Sequence, residues 1–143
     1  MLYDVIVLGS GPGGYPAAIR ASQLGFKVAI IEKESLGGVC LNWGCIPTKA
    51  LLKSAQEYDY LKHSTQYGIN TTGVAHDFGM VVKRSRGVAD KMSKGVQFLM
   101  KKNKIDVVMG YGKIKARGQI EVTAADGTQK IVEGKYIIIT TGG

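Results

Sequence analysis

The only two cysteines in this 143-residue chain, Cys40 and Cys45, are separated by four residues that include Gly44. They straddle the predicted start of a helix. A thiol at a helix N-terminus is favoured as thiolate by the free N–H groups and the positive end of the dipole. A thiolate beside a second thiol is the arrangement for dithiol–disulfide exchange. Lys49, one turn beyond Cys45, adds positive charge nearby. A zinc site needs about four ligands, and the only further candidates, His63 and His76, show no paired spacing. The Cys-x-x-Cys redox spacing is absent. Two inert cysteines in a core remain open on these residues alone.

A second group of residues has the spacing for a nucleotide. Gly9, Gly11 and Gly14 form GxGxxG within Gly9-Ser10-Gly11-Pro12-Gly13-Gly14, and Glu32 follows 18 residues after Gly14. In this pattern Gly9 makes a tight turn, Gly11 lets backbone approach a pyrophosphate, and Gly14 lets helix and strand pack closely. The helix N-terminus offers N–H groups to phosphate, and Glu32 offers a carboxylate to ribose hydroxyls. The motif leaves open whether the nucleotide is FAD or NAD.

The elements that position these residues follow from periodicity. Asp4–Leu8 and Lys27–Glu32 read as short buried strands, and Gly13–Leu24 as an Ala-rich helix with Ile19 and Leu24 toward the sheet and Gly25 as its cap. Together they make a right-handed βαβ unit. Pro16 falls at or just past the first turn of that helix, where its missing N–H costs little or something. A glycine-rich loop, Leu36–Gly44, leads into a helix from about Cys45 to His63, in which Pro47 is tolerated because it sits in the first turn. Ser64–His76 is polar and irregular. A long helix covers Phe78–Lys102, with Val81, Val88, Met92, Val96 and Leu99 as its apolar stripe. Asp106–Met109, Ile120–Thr123, Lys130–Val132 and Tyr136–Thr140 read as strands, with Asp126-Gly127 as a hairpin turn. The fold class expected is α/β: a Rossmann-like three-layer domain of parallel sheet, helices and a small antiparallel β-meander.

Hydrophobic residues make up 45% of the chain and charged residues 21%, which excludes disorder as the default state. The net charge of +8 is concentrated in Gly79–Arg117, with 11 basic residues against two acids. Only Phe98 and Tyr111 lie near this run, so the base-stacking aromatics of a nucleic-acid site are lacking and a solvated helix face is expected. No membrane partner is expected. The N-terminal residues lack a basic n-region and a long apolar run, giving an expected cytoplasmic location, or the mitochondrial matrix in a eukaryote.

The two motifs together resemble the flavoprotein disulfide reductases. Cys-Leu-Asn-Trp-Gly-Cys-Ile-Pro-Thr-Lys-Ala-Leu-Leu is most similar to the dihydrolipoyl dehydrogenases of that family; glutathione and mercuric reductases more often carry valine at Leu41 or Ile46. The resemblance extends from Tyr3 to Gly142, is most specific at Gly37–Lys49 and is looser over Ser64–Lys102. Pro16 departs from the small aliphatic residue usual there, while Val39 and Trp43 are acceptable variants.

The resemblance implies FAD, with Gly9, Ser10, Gly11, Pro12, Gly13 and Gly14 on the pyrophosphate and Glu32 on the adenosine ribose. Lys33, Gly38, Val39 and Cys40 would line the cofactor. Cys45 would be the thiol next to the flavin, Cys40 the interchange thiol toward substrate, and Lys49 a positive charge near the flavin ring. Tyr111 and Gly112 would reach the adenine, and Thr140, Thr141 and Gly142 would return to the FAD. It also implies electron transfer to NAD, a homodimer, and lipoyl domains of 2-oxo acid dehydrogenase or glycine cleavage complexes as partners. Residues 1–143 would be an incomplete FAD-binding domain, inactive alone, with the NAD and dimerisation domains and a His–Glu base outside it. A glutathione- or mercuric-reductase-type enzyme and a non-enzymatic FAD-binding fragment are the alternatives.

Overall fold

The computed structural model describes residues 2–142. Six strands form one sheet: β1 (Leu2–Leu8), β2 (Val28–Glu32), β3 (Asp106–Met109), β4 (Tyr111–Ala116), β5 (Gln119–Thr123) and β6 (Gln129–Ile139), in the order β3-β2-β1-β6-β5-β4. The first four in that order are parallel, with Val5 opposite Val28 and Tyr136, and Ile30 opposite Val107. The β4–β5–β6 end is antiparallel. The helices are α1 (Gly14–Gln23), α2 (Gly38–Asn42), α3 (Cys45–Lys62) and α4 (Phe78–Lys102), with a 3-10 turn at Ser64–Tyr67.

The strand β6 belongs to two pairings. Its first residues, Gln129–Glu133, pair antiparallel with β5, and Glu133–Ile139 run parallel beside β1. Gly134 marks the junction: a Cβ there would stand 2.7 Å from Ile6 Cγ1. The meander thereby folds over the sheet. Val5, Val7, Val28 and Ile30 share one buried cluster with Ala18, Val96 and Met100 of the helices. Ile6, Leu8, Ala29 and Ile31 share the other with Ile120, Val122 and Val132 of the meander. Both sheet faces are covered, which is why β1 and β2 read as continuous apolar runs. The three-layer α/β architecture expected from the sequence is the one observed.

Several local features follow from the chain chemistry. Gly25 takes φ +89° after α1. Its N–H donates to Ser22 O and that of Phe26 to Ala21 O, the paired bonds of a Schellman cap. Lys104 does the same after α4 at φ 54°, with Lys104 N–H to Lys101 O and Ile105 N–H to Met100 O. Asp77 caps α4, its carboxylate accepting from Met80 N–H at 3.1 Å. Pro16 and Pro47 each occupy the third position of their helix, where an N–H has no intrahelical acceptor, so neither disturbs it.

Four expectations need correction. Leu24 does not face the sheet; it is the C-cap residue of α1 and 58% exposed, because the cap turns the chain away. Met92 lies off the buried stripe of α4, which runs instead through Ser85, Ala89, Val96 and Met100. Small residues there let the neighbouring layers approach closely, a signal that a hydrophobic pattern does not contain. The segments read at Lys130–Val132 and Tyr136–Thr140 belong to one strand, Gln129–Ile139, and Tyr111–Ala116 forms the extra strand β4. The loop Leu36–Gly44 contains the short helix α2. Among the described residues no helix is long and apolar enough to cross a membrane.

Candidate functional site

The turn after β1 is built from glycines with different duties. Gly9 has φ +100°, its N–H donates to Ile31 O at 2.8 Å, and a Cβ there would strike the Thr140 carbonyl. A Cβ at Gly14 would strike the Gly9 carbonyl, so this glycine lets α1 sit down on β1. Gly14 and Tyr15 N–H both donate to Gly11 O, at 2.8 and 3.2 Å. Gly11 itself is different: a Cβ there would meet nothing within 4 Å. Its open side faces a cleft, and the protein's own packing supplies no reason for the glycine.

The end of β6 closes over this turn. Thr140 N–H donates to Leu8 O at 2.8 Å, and its hydroxyl reaches Gly9 O at 2.8 Å. Thr140 and Thr141 thus lie against the glycine loop.

Glu32 ends β2 and is buried, with 7% exposed. Its Oε2 accepts from Ser10 N–H at 3.0 Å and from the Ser10 hydroxyl at 2.6 Å; its Oε1 accepts from Glu34 N–H at 2.9 Å. A carboxylate has about four acceptor positions, so Oε1 keeps capacity for a ligand hydroxyl.

The cysteine segment sits directly across from the glycine turn. Gly37 N–H donates to Ser10 O and to the Ser10 hydroxyl, each at 3.2 Å. A Cβ at Gly38 would stand 2.8 Å from Gly11 Cα. Cys40 lies in α2, Cys45 is the first residue of α3, and the two are joined in a disulfide with Cα atoms 4.7 Å apart. Gly44 permits this: a Cβ there would be 3.2 Å from Cys40 Cα and 3.1 Å from Val39 O. Three groups fasten the segment to the rest: Asn42 Nδ2 donates to Leu36 O and Gly38 O, Ser93 Oγ to Leu36 O, and Arg86 to Asn42 O. Arg84 donates to Ala50 O at 2.8 Å. Two members of the basic run therefore hold backbone carbonyls, a use the charge count did not reveal.

These pieces line one cleft of about 750 Å³, from Gly9–Gly13, Glu32 and Lys33 past Gly38, Val39 and Thr140–Gly142 to Cys40, Trp43 and Cys45. A second hollow of about 310 Å³ shares Gly9, Glu32, Lys33 and Thr141 with it and continues to Tyr111 and Gly112. Such volumes are typical of small-molecule sites, at about 300–1,000 Å³. Gly14 is buried beneath the loop rather than in the cleft. Lys49 is exposed on α3 and lines neither hollow. Trp43 and Glu34 line the cleft without having been singled out; the position of Trp43 between the cysteines was the available signal. Among the described residues no group of three or more His, Cys, Asp or Glu side chains is placed to hold a metal ion.

The arrangement joins a dinucleotide-type turn and a cystine in a single groove, and the comparisons agree with it. Residues 3–143 match the model of the pyridine nucleotide-disulphide oxidoreductase family. The chain is 50% identical over 140 residues to dihydrolipoyl dehydrogenase of Chlorobaculum parvum, covering 98% of this chain and 30% of that protein. It is 49% identical over 142 residues to leghemoglobin reductase of Vigna unguiculata, covering 97% of this chain and 27% of that protein. The fold matches the HOCl-induced flavoprotein disulfide reductase RclA of Escherichia coli, solved as its Cu(II) complex, with a TM-score of 0.82 and 26% identity over 99% of this chain and 29% of that one. The chain thus spans under a third of the length of these relatives, and it belongs to the pyridine nucleotide-disulphide oxidoreductase family.

Proposed function

We propose that this chain is the FAD-binding part of a dihydrolipoyl dehydrogenase, in which the Cys40–Cys45 disulfide oxidises a protein-bound dihydrolipoyl group and the electrons pass on to NAD. The single observation that carries the reading is the cleft that runs from Gly9–Gly13 to the disulfide. The residues fit FAD on structural grounds. Gly11 is open toward the cleft, Glu32 keeps acceptor capacity, and the hollow at Tyr111 and Gly112 extends the groove beyond Glu32.

When bound, FAD supplies the two-electron redox chemistry that cysteine alone cannot hand to a nicotinamide. The chain's own residues perform the sulfur chemistry. A substrate thiolate attacks Cys40 Sγ, the S–S bond breaks, and Cys45 leaves as thiolate. The second substrate thiol, giving up its proton, then displaces Cys40. The substrate leaves as a disulfide, oxidised by two electrons, and the cysteine pair is left reduced. The start of α3 favours negative charge on Cys45 in that state, because its first N–H groups point at the sulfur's end of the helix.

Cys45 is exposed and Cys40 half-buried. Accessibility alone would make Cys45 the attacked sulfur, so the role of Cys40 rests on a flavin covering Cys45. Homodimerisation, lipoyl domains as partners and the roles of Lys33 and Lys49 are parts of the same reading. The test is reduction of NAD by dihydrolipoamide in the full-length protein, with glutathione and Hg(II) assays beside it. Dihydrolipoamide turnover that is lost in both Cys40→Ser and Cys45→Ser is the result expected. Turnover of glutathione disulfide or Hg(II) in place of dihydrolipoamide would transfer the protein to another branch of the family.

A further inference from the structure

We propose that Ser10 is a positioning residue that ties the ribose-binding carboxylate Glu32 to the segment carrying Cys40, so that cofactor binding and the state of the disulfide are coupled. This rests on the FAD reading given above. Ser10 has no exposed surface. Its hydroxyl is used in a fixed polarity. It donates to Glu32 Oε2 at 2.6 Å and accepts from Gly37 N–H at 3.2 Å.

Each end of this link leads somewhere specific. On one side, Glu32 Oε1 accepts only from Glu34 N–H among the described residues and is where a ribose hydroxyl would donate. A donor arriving at Oε1 pulls on the same carboxylate that Ser10 holds by Oε2. On the other side, Gly37 is the N-cap of α2 at φ +95°, and Cys40 lies three residues on. The next residue, Gly38, is packed so closely on Gly11 that a Cβ would come within 2.8 Å of Gly11 Cα. The turn that receives the pyrophosphate and the segment that holds the disulfide are therefore in direct contact, and among the described residues Ser10 is the one side chain that bonds to both Glu32 and Gly37.

Ser10→Ala removes the side-chain part of this link, the hydroxyl's bonds to Glu32 and Gly37, with little harm to the fold. Glu32 Oε2 keeps the Ser10 N–H, and Gly37 N–H keeps the Ser10 carbonyl. No buried backbone donor is stranded, so the large cost of an unsatisfied group does not arise.

Coupling between two sites is reciprocal, so it is measurable from the disulfide side. The experiment equilibrates the full-length protein with dithiothreitol redox buffers, with and without FAD, and reads Cys40 and Cys45 by differential alkylation and mass spectrometry. In the parent protein FAD should change the dithiol–disulfide equilibrium constant by about 5-fold or more, the lower end of ordinary coupling between sites. In Ser10→Ala, read at saturating FAD, that factor should fall by about twofold or more. Glu32→Gln, which keeps the side-chain shape, should reduce the same factor and add nothing further in the double variant. A coupling factor unchanged in Ser10→Ala, or absent in the parent protein with FAD bound, overturns the proposal and leaves the FAD reading intact. Failure of the parent protein to bind FAD at all overturns the FAD reading, and the proposal with it.

Discussion

At the residue scale, Gly11 separates a ligand's requirement from the fold's. Gly9 and Gly14 are fixed by protein atoms, whereas a methyl at Gly11 meets none within 4 Å. Gly11→Ala should therefore leave the melting temperature of the cofactor-free protein nearly unchanged and weaken FAD binding by about 1–3 kcal/mol, the range for displacing a ligand from a special backbone site. Thermal melts and FAD titration check this, and equal loss of both would assign the glycine to the turn alone. Trp43 gives a second residue-level prediction. It is the sole tryptophan of these 143 residues and lines the cleft with Cys40 and Cys45. An excited indole passes an electron readily to a nearby disulfide. In FAD-free protein its emission should rise on mild reduction and fall again on reoxidation, and Trp43→Phe should abolish the change. An emission insensitive to redox state would show that the cystine is not reversible or that the indole points away from it.

At the element scale, the pattern of what was legible has physical causes. The fingerprint, β3 and the existence of α4 follow from strong local signals: glycines at fixed offsets, a β-branched run, and an apolar repeat at helical spacing. The helix α2 and the strand β4 do not, because they are five and six residues long and made by tertiary contacts such as Arg86 to Asn42 O and β4 pairing with β5. Likewise Ser10 could be read as a loop residue near phosphate, but its bonds to Glu32 and Gly37 join positions 22 and 27 residues away. The cap at Lys104 yields a stability prediction. Left-handed backbone costs a non-glycine residue roughly 1 kcal/mol, partly offset by the greater unfolded freedom of glycine. Lys104→Gly should raise stability by about 0.5 kcal/mol in urea melts, and a loss would show that the lysine stem is needed on the α4 end. The carboxylate of Asp4 in β1 accepts from Lys135 Nζ of β6 at 2.7 Å and from the N–H of Lys27, just before β2, at 2.9 Å. The Lys135 hydrogen bond first, and the Lys27 N–H second, hold its pKa below the ordinary 3.8. A lowered carboxylate pKa means stability that is present above the unfolded value and lost as pH falls through the folded one. Asp4→Asn should thus be less stable than the parent at neutral pH, and the gap should close below the ordinary 3.8. A gap independent of pH would remove the ion pair as its cause.

At the scale of the whole molecule, the charge and the cleft act together on one ligand. Lysines and arginines total 19 against 11 acids, so an anionic nucleotide approaches a positive body, and its association rate should fall as salt rises. The GxGxxG turn does not distinguish FAD from NAD, but the rest of the groove does. It continues from the turn to Tyr111 and Gly112 at one end and to Trp43 and the cystine at the other, which on the proposed FAD reading takes the adenosine beyond Glu32 and the ring system against the disulfide. Binding to the native state alone stabilises it by mass action, about 2.7 kcal/mol at 100 times the dissociation constant. For a unit of this size that corresponds to about 10 °C in melting temperature. FAD should produce such a shift, and NAD at equal concentration should produce a much smaller one, because the nicotinamide half lacks the flavin's three-ring surface for the exposed apolar wall of Val39 and Trp43, at 66% and 49%. The melting series with each nucleotide, repeated with Gly11→Ala, decides the matter. A larger shift with NAD than with FAD would make this groove a nicotinamide site and would require the cystine beside it to serve some chemistry other than electron transfer to a flavin.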